Sequence, residues 1–274
     1  MICFPNAKIN IGLNIIRKKE NGFHDIETVM IPVGLCDLLE IVENPAPSNE
    51  KCLFSSSGIS IGKNREAQDN LCYKAYRLMD ENYGFPPIKF HLHKMIPSGS
   101  GLGGGSSDAA YTVKLINRIF KLDVSESIME QYAARLGSDC SFFIRNRPSL
   151  VYGSGELMEP VQSDLISPPA GLFLVLVFPG INISTKWAYN NVTPDSYSTG
   201  KLKHLIKLPV AEWKGRISNA FESTVFACYP EIGRIKEKLY ELGAVYASMS
   251  GSGSAVFGIF NEKQVLALVD GLYQ

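Results

Sequence analysis

The chain has 274 residues, 45% apolar and 20% charged, enough to bury one large core or two ordinary ones, which excludes a disordered or peptide-like protein. Its 27 basic and 27 acidic residues cancel, so no field of one sign gathers nucleic acid or anionic lipid, and a small molecule is the expected partner. The longest apolar run, Ala170 to Phe178, stops at Pro179, far short of the ~20 residues of a membrane span, and Pro5, Asn6, Lys8, Asn10 and Asn14 interrupt the amino terminus as no secretory signal tolerates, so no membrane partner and a cytoplasmic location are expected.

In chain order, the first element is a strand. Ile9, Ile11, Leu13 and Ile15 alternate with Lys8, Asn10, Gly12 and Asn14, so one face enters the core and the other carries an ammonium and two carboxamides in line. Taken alone, that polar line reads as a solvated face. A turn at Asn21-Gly22 leads through Phe23 and His24 to strand-like runs over Ile26 to Val33, Leu38 to Val42 and Leu53 to Ser55, with Asn44 to Asn49 as a loop. From Asn70 the period becomes helical, with Leu71, Ala75, Leu78 and Met79 on one side and Gly84 as the stop.

Ile88, Phe90 and Leu92 then alternate with Lys89, His91 and His93. Two histidines two apart could share a metal, but no third ligand follows at a clear spacing, and they read as solvated. Helices are predicted from Ala109 through Ile116 and from a Ser125 cap to Leu136 and Gly137, with Asp139 directly after. A hairpin over Leu150 to Tyr152 and Glu156 to Val161 turns at Gly153-Ser154-Gly155, and the domain boundary is placed beyond it, giving domains 1–160 and 161–274. The second domain opens on a buried strand, Leu172 to Phe178, and continues with helices over Ile217 to Phe226 and Ile232 to Leu242, a strand ending at Phe260 and a last helix from Glu262. Mixed rather than alternating elements argue for an α+β fold. Six scattered cysteines, with no Cys-x-x-Cys pair, read as reduced and mostly buried thiols.

The segment Pro97, Ser98, Gly99, Ser100, Gly101, Leu102, Gly103, Gly104, Gly105, Ser106, Ser107 puts five glycines in seven positions directly before a helix. Glycines let backbone N–H groups approach a ligand at positive φ, and a helix amino terminus adds unsatisfied N–H groups and about half a positive charge, so phosphate is the natural guest. Ser106 and Ser107 can add hydroxyl donors or an oxygen for Mg²⁺. The dinucleotide fingerprint fails for want of a second strand with its acidic end, the P-loop for want of Gly-Lys-Ser/Thr, and protein-kinase motifs are absent. The missing cation must come from elsewhere, with Lys8 and Lys94 as candidates, although Lys94 also reads as an ordinary surface lysine.

Pro5 to Asn14, Pro97 to Ala110 and Ser250 to Phe257, in that order, resemble the GHMP kinase superfamily. Within it, Lys8-x-Asn10, Gly22-Phe-His24, the triple glycine before Ser-Ser-Asp-Ala-Ala and Leu136-Gly-Ser-Asp139 are similar to the branch acting on a cytidine diphosphate methylerythritol. The resemblance runs over nearly the whole chain. It implies a two-domain GHMP kinase fold, with an N-terminal domain like ribosomal protein S5 domain 2 and a ferredoxin-like C-terminal domain forming a cleft between them. It also implies ATP-dependent phosphorylation of the 2-hydroxyl of 4-diphosphocytidyl-2-C-methyl-D-erythritol on the non-mevalonate route to isoprenoid precursors. Asp139 then fits the base, Lys8 the charge stabiliser and Asn10 an orienting group. Phe23 and His24 match the clamp on the cytosine ring, with phenylalanine where the family usually has tyrosine, and Thr185 and Tyr189 match the other side of that pocket. Asn70 and Leu71 would flank adenine, and Gly251 and Gly253 would form a third glycine turn. A sister activity, mevalonate or homoserine kinase, is the alternative, and the oligomeric state is left as monomer or homodimer.

Overall fold

The computed structural model describes residues 1–45, 50–59, 67–161, 171–196 and 199–261. The chain divides into two compact units, one of Met1–Lys8, Pro32–Ser98 and Gly103–Arg147, the other of Ile9–Ile31, Gly99–Leu102 and Pro148–Gln274. These units interleave in sequence, unlike the expected single boundary at 160. The physical reason is that two long strands, β2 (Asn6–Lys18) and β3 (His24–Cys36), each give residues to both.

The first unit holds a four-stranded sheet ordered β1-β4-β6-β5, from β1 (Ile2–Cys3), β4 (Leu38–Glu43), β5 (Cys52–Gly58) and β6 (Ile88–Lys94). β5 runs parallel to β6 and the other pairs are antiparallel. Ile88, Phe90 and Leu92 of β6 are buried, as their alternation requires. His91 and His93 are half-buried rather than solvated: the parallel register sets Ser55 and Ser57 beside them, with Ser57 Oγ 2.9 Å from both His91 Nε2 and His93 Nδ1. Among the described residues no three histidine, cysteine, aspartate or glutamate side chains gather as a metal site.

Helices cover this unit. α1 (Leu71–Tyr83) starts on Asn70, whose side chain accepts from the Cys72 N–H at 2.8 Å, and ends at Gly84 with φ 57°. It packs against α2 (Gly104–Phe120), which buries Ala109, Ala110, Val113 and Ile116. α3 (Glu126–Leu136) is capped by Ser125 and followed by a short helix, α4 (Cys140–Arg145), headed by Asp139.

In the second unit β7 (Ser149–Gly153) and β8 (Leu157–Pro160) form the expected hairpin, and β7 pairs with β3 in the sheet ordered β2-β3-β7-β8. A second sheet, antiparallel and ordered β10-β11-β9, is made of β9 (Leu172–Val177), β10 (Tyr246–Met249) and β11 (Val256–Asn261). Around it lie α5 (Thr185–Asn191), α7 (Glu222–Cys228) and α8 (Pro230–Glu241), with Phe221, Val225, Ile232, Leu239, Val256 and Phe260 in one apolar core, while α6 (Lys201–Leu205) sets Leu202 against Gly12 of β2. The helix expected from Ile217 begins only at Glu222. Residues 218–220 are instead drawn into a bridge with β2, in which Leu13 donates to Ser218 O and accepts from the Ala220 N–H. The last helix expected, from Glu262, lies outside the described residues. Among the described residues no helix is long and apolar enough to cross a membrane, and all six cysteines are free thiols, three of them buried.

Candidate active site

The polar line on β2 is not solvated. Lys8 is 3% and Asn10 2% exposed, so both faces of this strand are enclosed and its polar side chains must find partners.

In the first unit, Lys8 runs past the start of α2. A Cβ on Gly103, at φ 70°, would lie 3.1 Å from Lys8 Cε and 3.0 Å from Phe143 Cζ, so glycine there is what lets the lysine stem and the Phe143 ring approach the helix. The Lys8 ammonium lies 3.4 Å from Asp139 Oδ2, and the Asp139 side chain is 30% exposed. Asp139 heads α4 without accepting a bond from that helix through its side chain. Gly104 allows the same close packing on its other side, where a Cβ would meet Ile96 Cγ2 at 2.8 Å. Gly105 is exposed, and the position of its missing Cβ lies 3.9 Å from Leu71 Cδ1, so α1 and α2 begin side by side, with Asn70 at the head of α1. Ser107, fully buried in the first turn of α2, has a hydroxyl oxygen with no hydrogen-bond partner among the described residues.

Lys94 does not take the nucleotide-facing role expected of it, nor is it a surface lysine. Its ammonium is buried between Asp37 and Asp108, 2.7 Å from Asp108 Oδ2. Asp37 also accepts from the Met95 and Ile96 N–H groups at 2.6 and 2.8 Å, while Asp108 Oδ1 accepts from none of the described residues. One ammonium cannot neutralise two dry carboxylates. Burial pushes Asp108 up to about 8 against the pull of Lys94, whereas Lys94 itself is raised, because the two carboxyls outweigh the burial that would lower it. Asp37 accepts three hydrogen bonds, from Lys94 and the Met95 and Ile96 N–H groups, so Asp108 is the carboxyl that holds the proton. The ammonium thus braces the strand before the glycine segment against the first turns of α2.

In the second unit, Gly99, Ser100, Gly101 and Leu102 meet the third glycine turn. A Cβ on Gly101 would fall 2.0 Å from Ser250 O, and Ser250 Oγ donates to Gly101 O at 3.0 Å. The Ala255 N–H donates to Ser100 O at 3.0 Å, and the Asn10 N–H to Ser250 Oγ at 3.2 Å. Gly251 and Gly253 carry positive φ, and Gly251 faces Asn10 Oδ1. Asn10 Nδ2 donates to Thr28 Oγ1 at 3.1 Å.

The base-clamp candidates lie in the same unit. The His24 and Tyr189 rings stand 5.1 Å apart at 35°, and Tyr189 meets Phe221 edge-on at 4.9 Å. Burial, then the Lys18 charge, lowers the His24 pKa, so the ring is neutral at pH 7. Phe23 is 64% exposed, its ring turned to solvent rather than to the core. Thr185 Oγ1 lies 3.2 Å from Ser252 Oγ, in the glycine turn. Pro97 and Ser98 lead into the loop, half-buried and exposed. Sequence reasoning missed Asp37 and Thr28, which carry no local signal, and gave Ser250, the first residue of Ser-Gly-Ser-Gly-Ser, no role of its own.

Family models match this chain in two places, GHMP kinases N terminal domain over residues 70–147 and GHMP kinases C terminal over 203–273. A 4-diphosphocytidyl-2-C-methyl-D-erythritol kinase of Bacteroides fragilis is 46% identical over 271 residues, covering 98% of this chain and 96% of the relative. The Bacteroides thetaiotaomicron enzyme of that name is 47% identical over 270 residues, with the same 98% and 96% coverage. A crystal structure of 4-(cytidine 5'-diphospho)-2C-methyl-D-erythritol kinase matches at a TM-score of 0.78 and 26% identity, covering 100% of this chain and 95% of that one. Homoserine kinase from Cytophaga hutchinsonii, at a TM-score of 0.70 and 17% identity over 97% of this chain and 90% of that one, shares the fold alone. With relatives this similar over nearly its full length, the chain belongs to the 4-diphosphocytidyl-2-C-methyl-D-erythritol kinase family of GHMP kinases.

Proposed function

We propose that this chain transfers the γ-phosphoryl group of ATP to the 2-hydroxyl of 4-diphosphocytidyl-2-C-methyl-D-erythritol, with Asp139 as base and Lys8 as charge stabiliser. The observation that carries the reading is a buried ammonium, threaded past Gly103 at the head of the glycine-rich helix, that ends 3.4 Å from a partly exposed carboxylate.

The acceptor oxygen bonds to the γ-phosphorus as the bond to the β,γ-bridging oxygen breaks, and ADP leaves. Asp139 takes the proton the hydroxyl loses, so its carboxylate must be ionised and uncommitted to the helix it heads. Lys8, buried beside Gly103 and Phe143, sets a positive charge where negative charge gathers on the equatorial phosphoryl oxygens. The N–H groups at the start of α2, opened by Gly103 to Gly105, suit the other phosphates. Ser107 supplies a buried oxygen without a protein partner, and with phosphate oxygens it would hold Mg²⁺, which neutralises phosphate charge when bound. Phe23, His24 and Tyr189 offer flat faces to the cytosine ring.

The test is ADP release with the cytidine substrate, mevalonate and homoserine supplied in parallel. Turnover only with the cytidine substrate is expected, and preference for either of the others would overturn the assignment.

A further inference from the structure

α4 has only six residues, too few to hold itself in place through its own hydrogen bonds, yet it carries Asp139 at its head. Its far end is tied down by side chains. Asn146 closes the helix in the left-handed region, φ 52°, a conformation that asparagine tolerates better than most residues. Its Nδ2 donates to Asn6 Oδ1 at 2.7 Å and to Tyr111 Oη at 3.1 Å, and its Oδ1 accepts from Asn6 Nδ2 at 3.1 Å. Tyr111 Oη in turn donates to Asn6 Oδ1 at 2.9 Å. Asn6 stands two residues before Lys8 on β2, so the two side chains leave the strand on one face.

The strand that carries the ammonium and the helix that carries the carboxylate are therefore joined twice, by Lys8–Asp139 at one end of α4 and by Asn6–Asn146 at the other. A third element shares the tie. Lys114, one turn beyond Tyr111 on α2 and 4.5 Å above its ring, donates to Phe143 O and Ile144 O at 3.4 and 3.2 Å, two carbonyls at the end of α4 that the helix cannot satisfy itself. Three elements that present Lys8, the glycine-rich amino terminus and Asp139 thus meet in one polar knot, in which Asn6 is buried and Tyr111, Lys114 and Asn146 are half-buried.

We infer that Asn146, through Asn6 and Tyr111 and with Lys114 beside it, is a positioning residue that fixes the carboxylate of Asp139 against Lys8. The inference rests on the reading of that pair as the chemical centre. Misplacing a reacting group by about 1 Å costs on the order of 10²-fold, so a loosened α4 acts on kcat and leaves substrate binding alone.

The variant Asn146→Gly keeps the left-handed backbone and deletes the side chain, and Tyr111→Phe deletes one hydroxyl only. We expect Asn146→Gly to lower kcat by about 10- to 100-fold with both KM values changed by less than about twofold. Tyr111→Phe should give a smaller loss of the same kind, which keeps the test open should Asn146→Gly fold poorly. In an Asp139→Asn background, Asn146→Gly should add less than about twofold, since the group it positions is gone. A normal kcat in both variants, an equal loss with and without Asp139, or a loss carried by KM would overturn the inference. Full activity of Asp139→Asn alone would overturn the underlying base assignment, and the positioning role with it.

Discussion

The Lys8 ammonium lies 3.4 Å from Asp139 Oδ2, and Asp139, although it heads α4, gives none of its side-chain accepting capacity to that helix. An aspartate at a helix start ordinarily accepts from the second or third N–H of the helix. Turning away from that bond leaves the carboxylate directed at a cation and reachable from solvent, as a proton acceptor for a substrate hydroxyl must be.

Replacing Asp139 by asparagine keeps the shape and removes the base, so kcat should fall by about 10² to 10⁴ with the KM for ATP little changed. Lys8→Ala should also lower kcat. Lys8→Arg should not restore it, because a forked guanidinium does not fit a slot bounded by Gly103 and Phe143. Steady-state kinetics with purified variants checks both.

Two glycines of the same segment should answer alanine in opposite ways. Gly101→Ala sets a Cβ 2.0 Å from Ser250 O at φ 78°, and should lower the melting temperature and weaken ATP binding together. Gly105→Ala meets nothing closer than 3.9 Å, in a helix that favours alanine, and should fold as well as the parent. Thermal melting with and without ATP separates the two.

On the base-binding side, Phe23→Ala and His24→Ala should each raise the KM for the cytidine substrate by about two- to tenfold, the worth of an aromatic contact, with kcat nearly unchanged. Phe23→Tyr should leave stability unaltered, since the ring is 64% exposed. Because the folded state lowers the His24 pKa, His24 contributes stability above its ordinary pKa of 6.5 that is lost as pH falls.

Asp108 gives a pH dependence of the opposite sign. Its carboxyl is pushed from the ordinary 3.8 up to about 8, chiefly by burial, so the folded chain holds a proton there that the unfolded chain releases. That contribution is complete below the unfolded value and is lost as pH rises through the folded one. Asp108→Asn has no such proton to lose. Urea denaturation of both proteins should therefore show the variant gaining on the parent, by on the order of a few kcal/mol, between pH 4 and pH 8.

Strong periodicity and caps made much of the fold legible. The alternation in β2 and β6, the Asn70 and Ser125 caps, and the glycine stops at Gly84 and Gly137 each fixed an element through its own neighbours. Features set by distant partners were not legible. Lys94 reads as a surface lysine because Asp37 lies 57 positions away in sequence, although the two are paired in the core. α4 is a buried run without a polar period, and the start of α7 is delayed by a bridge to Leu13, more than 200 residues earlier. Lys8 and Asp139 were nameable from the motifs around them. The Asn6–Asn146–Tyr111 knot was not, since isolated asparagines carry no pattern.

The central claim is that the γ-phosphoryl group passes to one particular hydroxyl. Phosphorus NMR of a reaction containing ATP, Mg²⁺ and 4-diphosphocytidyl-2-C-methyl-D-erythritol reads this directly. The account predicts one new phosphomonoester signal, coupled to the carbon bearing the 2-oxygen and growing in step with ADP, and no such signal with Asp139→Asn. Inorganic phosphate in place of the ester, or an ester on another oxygen, would contradict it.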